Sequence, residues 1–151
     1  MRHNKVFSAA IALCAIAFFT VGPVHLASAA PPAPVTITAA YDFSTFPNVA
    51  GTFTTTGALN ISGTSTMNVG LNPANGIRAH CVVTLIAPSG TIIIDQQCQF
   101  ATSQPAPYPD GQGKGRWEIV GGTGAYANLH GNGSLTMPRN EEAMTGVIYA
   151  H

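Results

Sequence analysis

From Val35 onward, apolar and polar positions alternate with a period of two. Val35, Ile37, Ala39, Tyr41 and Phe43 fall on one face, and Thr36, Thr38, Ala40 and Asp42 on the other. That is the signature of a strand with one buried face. The Thr-rich stretch GTFTTTGALNISGTSTMNVGL continues as strands cut by Gly57, Gly63 and Gly70. RAHCVVTLIAPSGTIIIDQQCQF reads as a β-hairpin, and ATSQPAPYPDGQGKG, dense in Pro, Gly and Asp, as a loop. Further strands are predicted over 116–120, near 132–137 and near 143–150. The total is about eight strands, with no sustained helical period after the N-terminal segment. Short strands separated by turn signals make an all-β sandwich or a closed barrel. Eight strands suit a small barrel whose interior is filled by side chains or holds one small ligand.

The N-terminal segment follows another pattern. Arg2, His3 and Lys5 precede an apolar run from Val6 to Val21, a break at Gly22-Pro23, and the tripeptide Ala27-Ser28-Ala29. A basic start, an apolar centre and an Ala-x-Ala site predict a cleaved secretory signal peptide. The apolar run is shorter than the ~20 residues a membrane-spanning helix needs. Cys14 is not a lipid-anchor site, because Leu13 stands where a small residue would be required. The expected organisation is a signal peptide over 1–29, a proline-rich leader over 30–34 and a β-barrel domain over 35–151. The product is expected to be secreted or periplasmic, with no membrane association after cleavage.

Cleavage leaves 122 of the 151 residues, the length of one domain. Arg2 and Lys5 leave with the signal, so four basic residues face six acids, a net charge of −2. No run of basic residues appears in the sequence, and a nucleic-acid partner has no electrostatic support.

Cys81 and Cys98 are the two cysteines that remain. Taking Ser89-Gly90 as the hairpin turn sets Pro88 opposite Thr91 and Cys81 directly opposite Cys98. The pair then falls at a non-hydrogen-bonded position, where backbones approach closely enough for a disulfide. Val83, Leu85, Ala87, Ile92 and Ile94 share that face. An exported chain meets an oxidising compartment, and a disulfide is expected. The competing reading, a reactive Cys81 activated by His80, fails because adjacent strand residues point to opposite faces.

The segment WEIVGGTGAYANLHGNG contains Gly122-x-Gly124-x-x-Ala127, which fits a dinucleotide-binding fingerprint, with Glu141 and Glu142 following it at about the distance of a ribose-binding acid. The fingerprint works only where a real helix starts inside a βαβ unit. Here Gly131 and Gly133 stop any helix after about two turns, too short for a crossover. The expected role is architectural. Gly121 and Gly122 would supply positive φ at a strand exit, Thr123 would cap a short helical turn with its hydroxyl, and Gly124 would complete the turn. Tyr126 and Leu129, three residues apart, would plug one end of the barrel.

These residues carry a resemblance. WEIVGGTGAYANLHGNGSLT (Trp117–Thr136) resembles the strand–GGTG–aromatic–small–Gly–strand segment of the allene oxide cyclase and dirigent-like superfamily, in particular its small exported bacterial members. GTFTTTGAL (Gly51–Leu59) resembles the family's early Thr/Gly-rich strands. The resemblance implies an eight-stranded antiparallel barrel with an apolar cavity. Because plant members form trimers, it also leaves a homo-oligomer open. The family's functional acids and arginines have no counterpart motif here, so no activity is carried over.

Other candidate chemistry is sparse. His80, His130 and His151 fit no metal signature, Asp95 reads as a hairpin-edge carboxylate, and no nucleophile elbow occurs. No metal and no cofactor is expected. Tyr41, Phe43, Phe53, Trp117 and Tyr126, with Phe100 and Tyr149, are the aromatics available to line an interior. Two functions follow. One is a non-catalytic barrel that binds a small apolar ligand or a partner surface. The other is a cyclase or isomerase acting on an apolar substrate through an interior acid. An ionisable side chain inside the barrel with a partner beside it is what separates them.

Overall fold

The computed structural model describes residues 31–74, 76–100, 113–138 and 141–150. The expected signal peptide (1–29), most of the predicted loop (101–112) and His151 lie outside the described residues. The alternation becomes eight strands: β1 (Ala33–Asp42), β2 (Asn48–Gly57), β3 (Ser62–Leu71), β4 (Arg78–Ala87), β5 (Gly90–Phe100), β6 (Gly113–Gly122), β7 (Leu129–Met137) and β8 (Glu141–Ala150). Each pairs antiparallel with the next, and β8 returns to β1, closing the barrel. Closure gives every strand two partners and leaves no edge. The expected all-β barrel is therefore the fold, and the sandwich is excluded. β1 starts inside the proline-rich segment, where Pro34 faces Val147 and its carbonyl accepts from the Ala58 N–H at 2.9 Å. A proline is tolerated there because it is at the start of the strand.

Period-two alternation decides what fills the barrel. Val35, Ile37, Ala39 and Tyr41 of β1 are buried, as are Val83 and Leu85 of β4 and Ile92 and Ile94 of β5. Four interior aromatics each face a glycine directly across the next strand: Tyr41 opposite Gly51, Phe53 opposite Gly63, Phe100 opposite Gly113, and Trp117 opposite Gly133. The rings lie over the bare backbone. A Cβ on Gly51 would stand 2.9 Å from the Tyr41 ring, and one on Gly133 2.8 Å from the Trp117 indole nitrogen. Aromatic–glycine pairing lets large side chains fit inside a narrow eight-stranded barrel. Gly63 thus lies within β3, as does Gly70, where the sequence pattern suggested breaks. Gly57, with φ of 96°, does end β2.

The hairpin of β4 and β5 differs from expectation by two residues. Ala87 faces Gly90, so the turn is Pro88-Ser89 rather than Ser89-Gly90. Proline's fixed φ suits the first central turn position, and glycine suits the last position of such a turn. Gly90, at φ 142°, begins β5, and a side chain there would run into the Thr123 carbonyl oxygen. The shift places Cys81 opposite Gln96 and Cys98 opposite Ala79. The cysteines are diagonal neighbours on the inner face, not directly opposed.

The glycine segment also needs correction. Gly121 and Gly122 continue β6 and are not among the positive-φ glycines; that conformation falls on Gly124, at φ 59°. Gly122 is required for space, because a Cβ would strike the Tyr126 carbonyl oxygen and sit 2.9 Å from that of Thr91. Thr123 makes no side-chain cap. Its hydroxyl instead accepts from the Thr91 N–H at 3.1 Å, tying this turn to β5. A single 3₁₀ turn, Gly124–Tyr126, joins the antiparallel β6 and β7, so no βαβ unit exists here and the dinucleotide reading has no structural basis. A register shift between Ile93 and Ile94 leaves Val120 as the extra residue of a β-bulge on β6, with its side chain 58% exposed.

Candidate functional site

The aromatics proposed to line an interior divide by position. Tyr41, Phe53 and Trp117 are buried within the barrel. Phe43, in the 3₁₀ turn after β1, and Tyr126, in the turn after β6, are buried at opposite ends. Phe100 is also in the core, whereas Tyr149 lies on the outer face, stacked on His130 with ring centroids 5.6 Å apart. His80 also points outward, its Nε2 in hydrogen-bond contact with Asp95 Oδ2 across the β4–β5 hairpin, away from the inward-facing Cys81.

The chemistry inside belongs to residues the sequence reading did not single out for it. Glu142 of β8 and Gln96 of β5 are fully buried, at 0% exposure. Gln96 Nε2 donates to Glu142 Oε1 at 2.7 Å and also contacts the Met144 sulfur at 3.3 Å. Tyr41 stands close enough to both Glu142 and Ser65 for each to perturb its ionisation. Gly51 makes this reach feasible, since it separates Tyr41 from Ser65 in one cross-strand row. Four buried atoms of the cluster lack a well-formed hydrogen bond: Tyr41 Oη, Ser65 Oγ, Gln96 Oε1 and Glu142 Oε2.

Burial sets the electrostatics. Desolvation pushes the Glu142 carboxyl up to about 7, against the opposing pull of Tyr41 and Gln96. Desolvation, followed by the nearby Glu142, drives the Tyr41 phenol well above its ordinary value. The Cys81 thiol is also raised, first by its hydrogen bond to the Cys98 sulfur and then by burial. Both cysteines are free, buried and in mutual contact. The interior is thus apolar with one polar seam: a carboxyl poised near neutrality, a phenol that stays protonated, and an amide that orients the carboxyl.

A signal for Glu142 existed. In EEAMTGVIYA, Glu142, Met144 and Ile148 share one period-two face, and in TIIIDQQCQF, Ile92, Ile94, Gln96, Cys98 and Phe100 do so. A polar residue on an otherwise apolar face points to the interior. Among the described residues, no group of three His, Cys, Asp or Glu side chains could hold a metal ion. The chain matches no protein-family profile, no curated protein and no solved structure.

Proposed function

We propose that the protein works through its barrel interior, taking up a small, largely apolar molecule anchored by one polar group at the Glu142 cluster. The observation that carries this reading is the set of four buried polar atoms that lack a well-formed hydrogen bond, enclosed by apolar side chains. Each such atom costs about 1–3 kcal/mol when unsatisfied. A carbonyl or hydroxyl on an apolar frame would recover part of that cost, accepting from Tyr41 or a protonated Glu142, or donating to Gln96. Native mass spectrometry of the protein purified from its own cells tests this. A bound small molecule is expected, and it should be lost from Glu142→Leu. A bare chain whose melting temperature no apolar carbonyl compound raises would remove the interior as the site.

A second reading, a cyclase or isomerase, is favoured by one observation: the Glu142 carboxyl titrates near neutrality, where an acid–base group transfers protons best. Glu142 would be the catalytic residue, and Tyr41 and Gln96 would position it and the substrate. The resemblance of Trp117–Thr136 to the allene oxide cyclase and dirigent-like proteins, together with the closed eight-stranded barrel, supports both readings. Chromatography of the released molecule separates them, since an enzyme returns an isomer of what was added and a binder returns it unchanged.

Export and the cysteine bridge belong to the same proposal. The Ala27-Ser28-Ala29 site would send the chain to an oxidising compartment. There the touching thiols of Cys81 and Cys98 would lose two protons and two electrons to a disulfide-bearing oxidant and join. The diagonal register means that a small slide of β4 along β5 must accompany bonding, because directly opposed strand residues approach more closely than diagonal ones. Thiol titration of the unreduced, denatured, exported protein is expected to find none free; a count of two rules the bridge out.

A further inference from the structure

The chain is electrically neutral overall, yet its described cations are not dispersed. Arg78 of β4 and Lys114 and Arg116 of β6 are the described lysines and arginines, and all three line one groove on the outer face of the barrel, about 1140 Å³ in volume. Two rows run across its floor from β4 to β7. In register, one reads Arg78, Gln99, Lys114, Thr136 and the next His80, Gln97, Arg116, Ser134. Every position in both rows is polar. The described lining of the groove contains no carboxylate, and among the described residues none of the three cations is held in an ion pair. Each row spans about 14 Å at the usual strand spacing. That length accommodates several units of an extended chain rather than one small ion.

We propose that this groove binds an acidic glycan, with Arg78, Lys114 and Arg116 pairing sugar carboxylates while Gln97, Gln99, Ser134 and Thr136 pair sugar hydroxyls. Charge complementarity selects an anion, and the guanidinium groups suit carboxylates because they can bind them bidentately. The surroundings select the kind of anion. Asp95 and Glu118 face each other in the next row beyond Arg116. A glycan can turn its hydroxyls toward these two acids, which accept hydrogen bonds, whereas a DNA phosphodiester backbone has no donor to offer them. Neither row contains a Phe, Tyr or Trp, and the one imidazole, His80, is tied to Asp95, so unpaired nucleic-acid bases have no free large ring to stack on. Amides and hydroxyls supply the donors and acceptors that a sugar's hydroxyl groups require. The groove lies on the outer wall, separate from Glu142, so it can be occupied whether or not the interior holds a guest.

The test uses oligogalacturonate as probe, titrated calorimetrically into the full exported protein. Binding is expected at about 50 mM salt and should weaken about tenfold or more by about 200 mM, as three ion contacts require. Arg78→Gln, Lys114→Gln and Arg116→Gln combined should abolish it while leaving the melting temperature within a few degrees of the wild type, since all three side chains are solvent-facing. Three results would overturn the proposal: no binding at low salt, equal binding of a neutral oligosaccharide of the same length, or unchanged binding by the folded triple variant. Tighter binding of inorganic phosphate or of a short single-stranded DNA would also overturn it, because the groove would then recognise phosphate rather than uronate.

Discussion

Glu142→Gln should abolish most of the dependence of stability on pH between about 4.5 and 7. The carboxyl has an ordinary value of 4.5 and is pushed up to about 7 by burial. Between these values the folded chain holds a proton that the unfolded chain has released. The wild type is thus most stable below about 4.5 and loses stability as pH rises through this window. The displacement is worth about 3 kcal/mol, or about 10 °C in melting temperature for a domain of this size. Asp42 works in the opposite sense and outside the window, because the Ser44 N–H at 2.9 Å lowers its carboxyl, whose contribution is lost only as pH falls through its own range. In Glu142→Gln the amide oxygen can still accept from Gln96, while no charge forms at neutral pH. The variant is expected to melt nearly alike at pH 5 and pH 8. A wild type that is already flat across that range would show that the carboxylate is stabilised inside the barrel as an ion.

Trp117→Ala is expected to cost about 3–5 kcal/mol, measured by chemical denaturation, at the high end for a core aromatic. The reason is the wall the indole rests on. A Cβ on Gly146 would lie 2.7 Å from the Trp117 ring, and one on Gly133 2.8 Å from its nitrogen, so the ring occupies space bounded by backbone. No side chains stand there to collapse into a void, and the full cavity term remains. The indole N–H is also shared between the Ser134 carbonyl at 3.1 Å and the Thr145 carbonyl at 3.3 Å. Trp117→Phe should retain most of the packing and lose about 1 kcal/mol with the hydrogen bond. A loss under about 1 kcal/mol for the alanine variant would mean that the ring contributes little packing.

Much of this was legible in the chain. The period-two face of Val35, Ile37, Ala39 and Tyr41 gives β1 correctly, and the count of eight strands is that of the barrel, although it left a sandwich open as well. The errors have local physical causes. Pro88 and Gly90 both favour a turn, and the two-residue choice between them moved Cys81 from Cys98 to Gln96. Positive φ was assigned to Gly121 and Gly122 from their identity, whereas a bulge at Val120 lets β6 continue through them. Glu142 was overlooked as an interior acid because a charged residue is ordinarily assigned to solvent. Only the faces of β8 and β5 together show that it meets Gln96, 46 residues away in sequence. The cationic groove was illegible for a related reason: Arg78, Lys114 and Arg116 form no run in the sequence and become neighbours through strand register alone.

Up-and-down order has a consequence for how the chain reaches its fold. Seven of the eight strand pairings join consecutive strands, so they can zip from local turns. The seam of β1 with β8 joins residues as distant as Ala33 and Ile148. Loop closure over that separation costs about 4 kcal/mol of chain entropy, which the other pairings do not share. The rate of folding is thus governed by this seam, as expected where long-range contacts form last. Before it closes, β1 and β8 are the two bare edges of a curled sheet, each offering unpaired backbone groups. At high protein concentration the same edges would meet those of a second chain, so strand exchange through β1 and β8 is the characteristic misfolding route of this architecture.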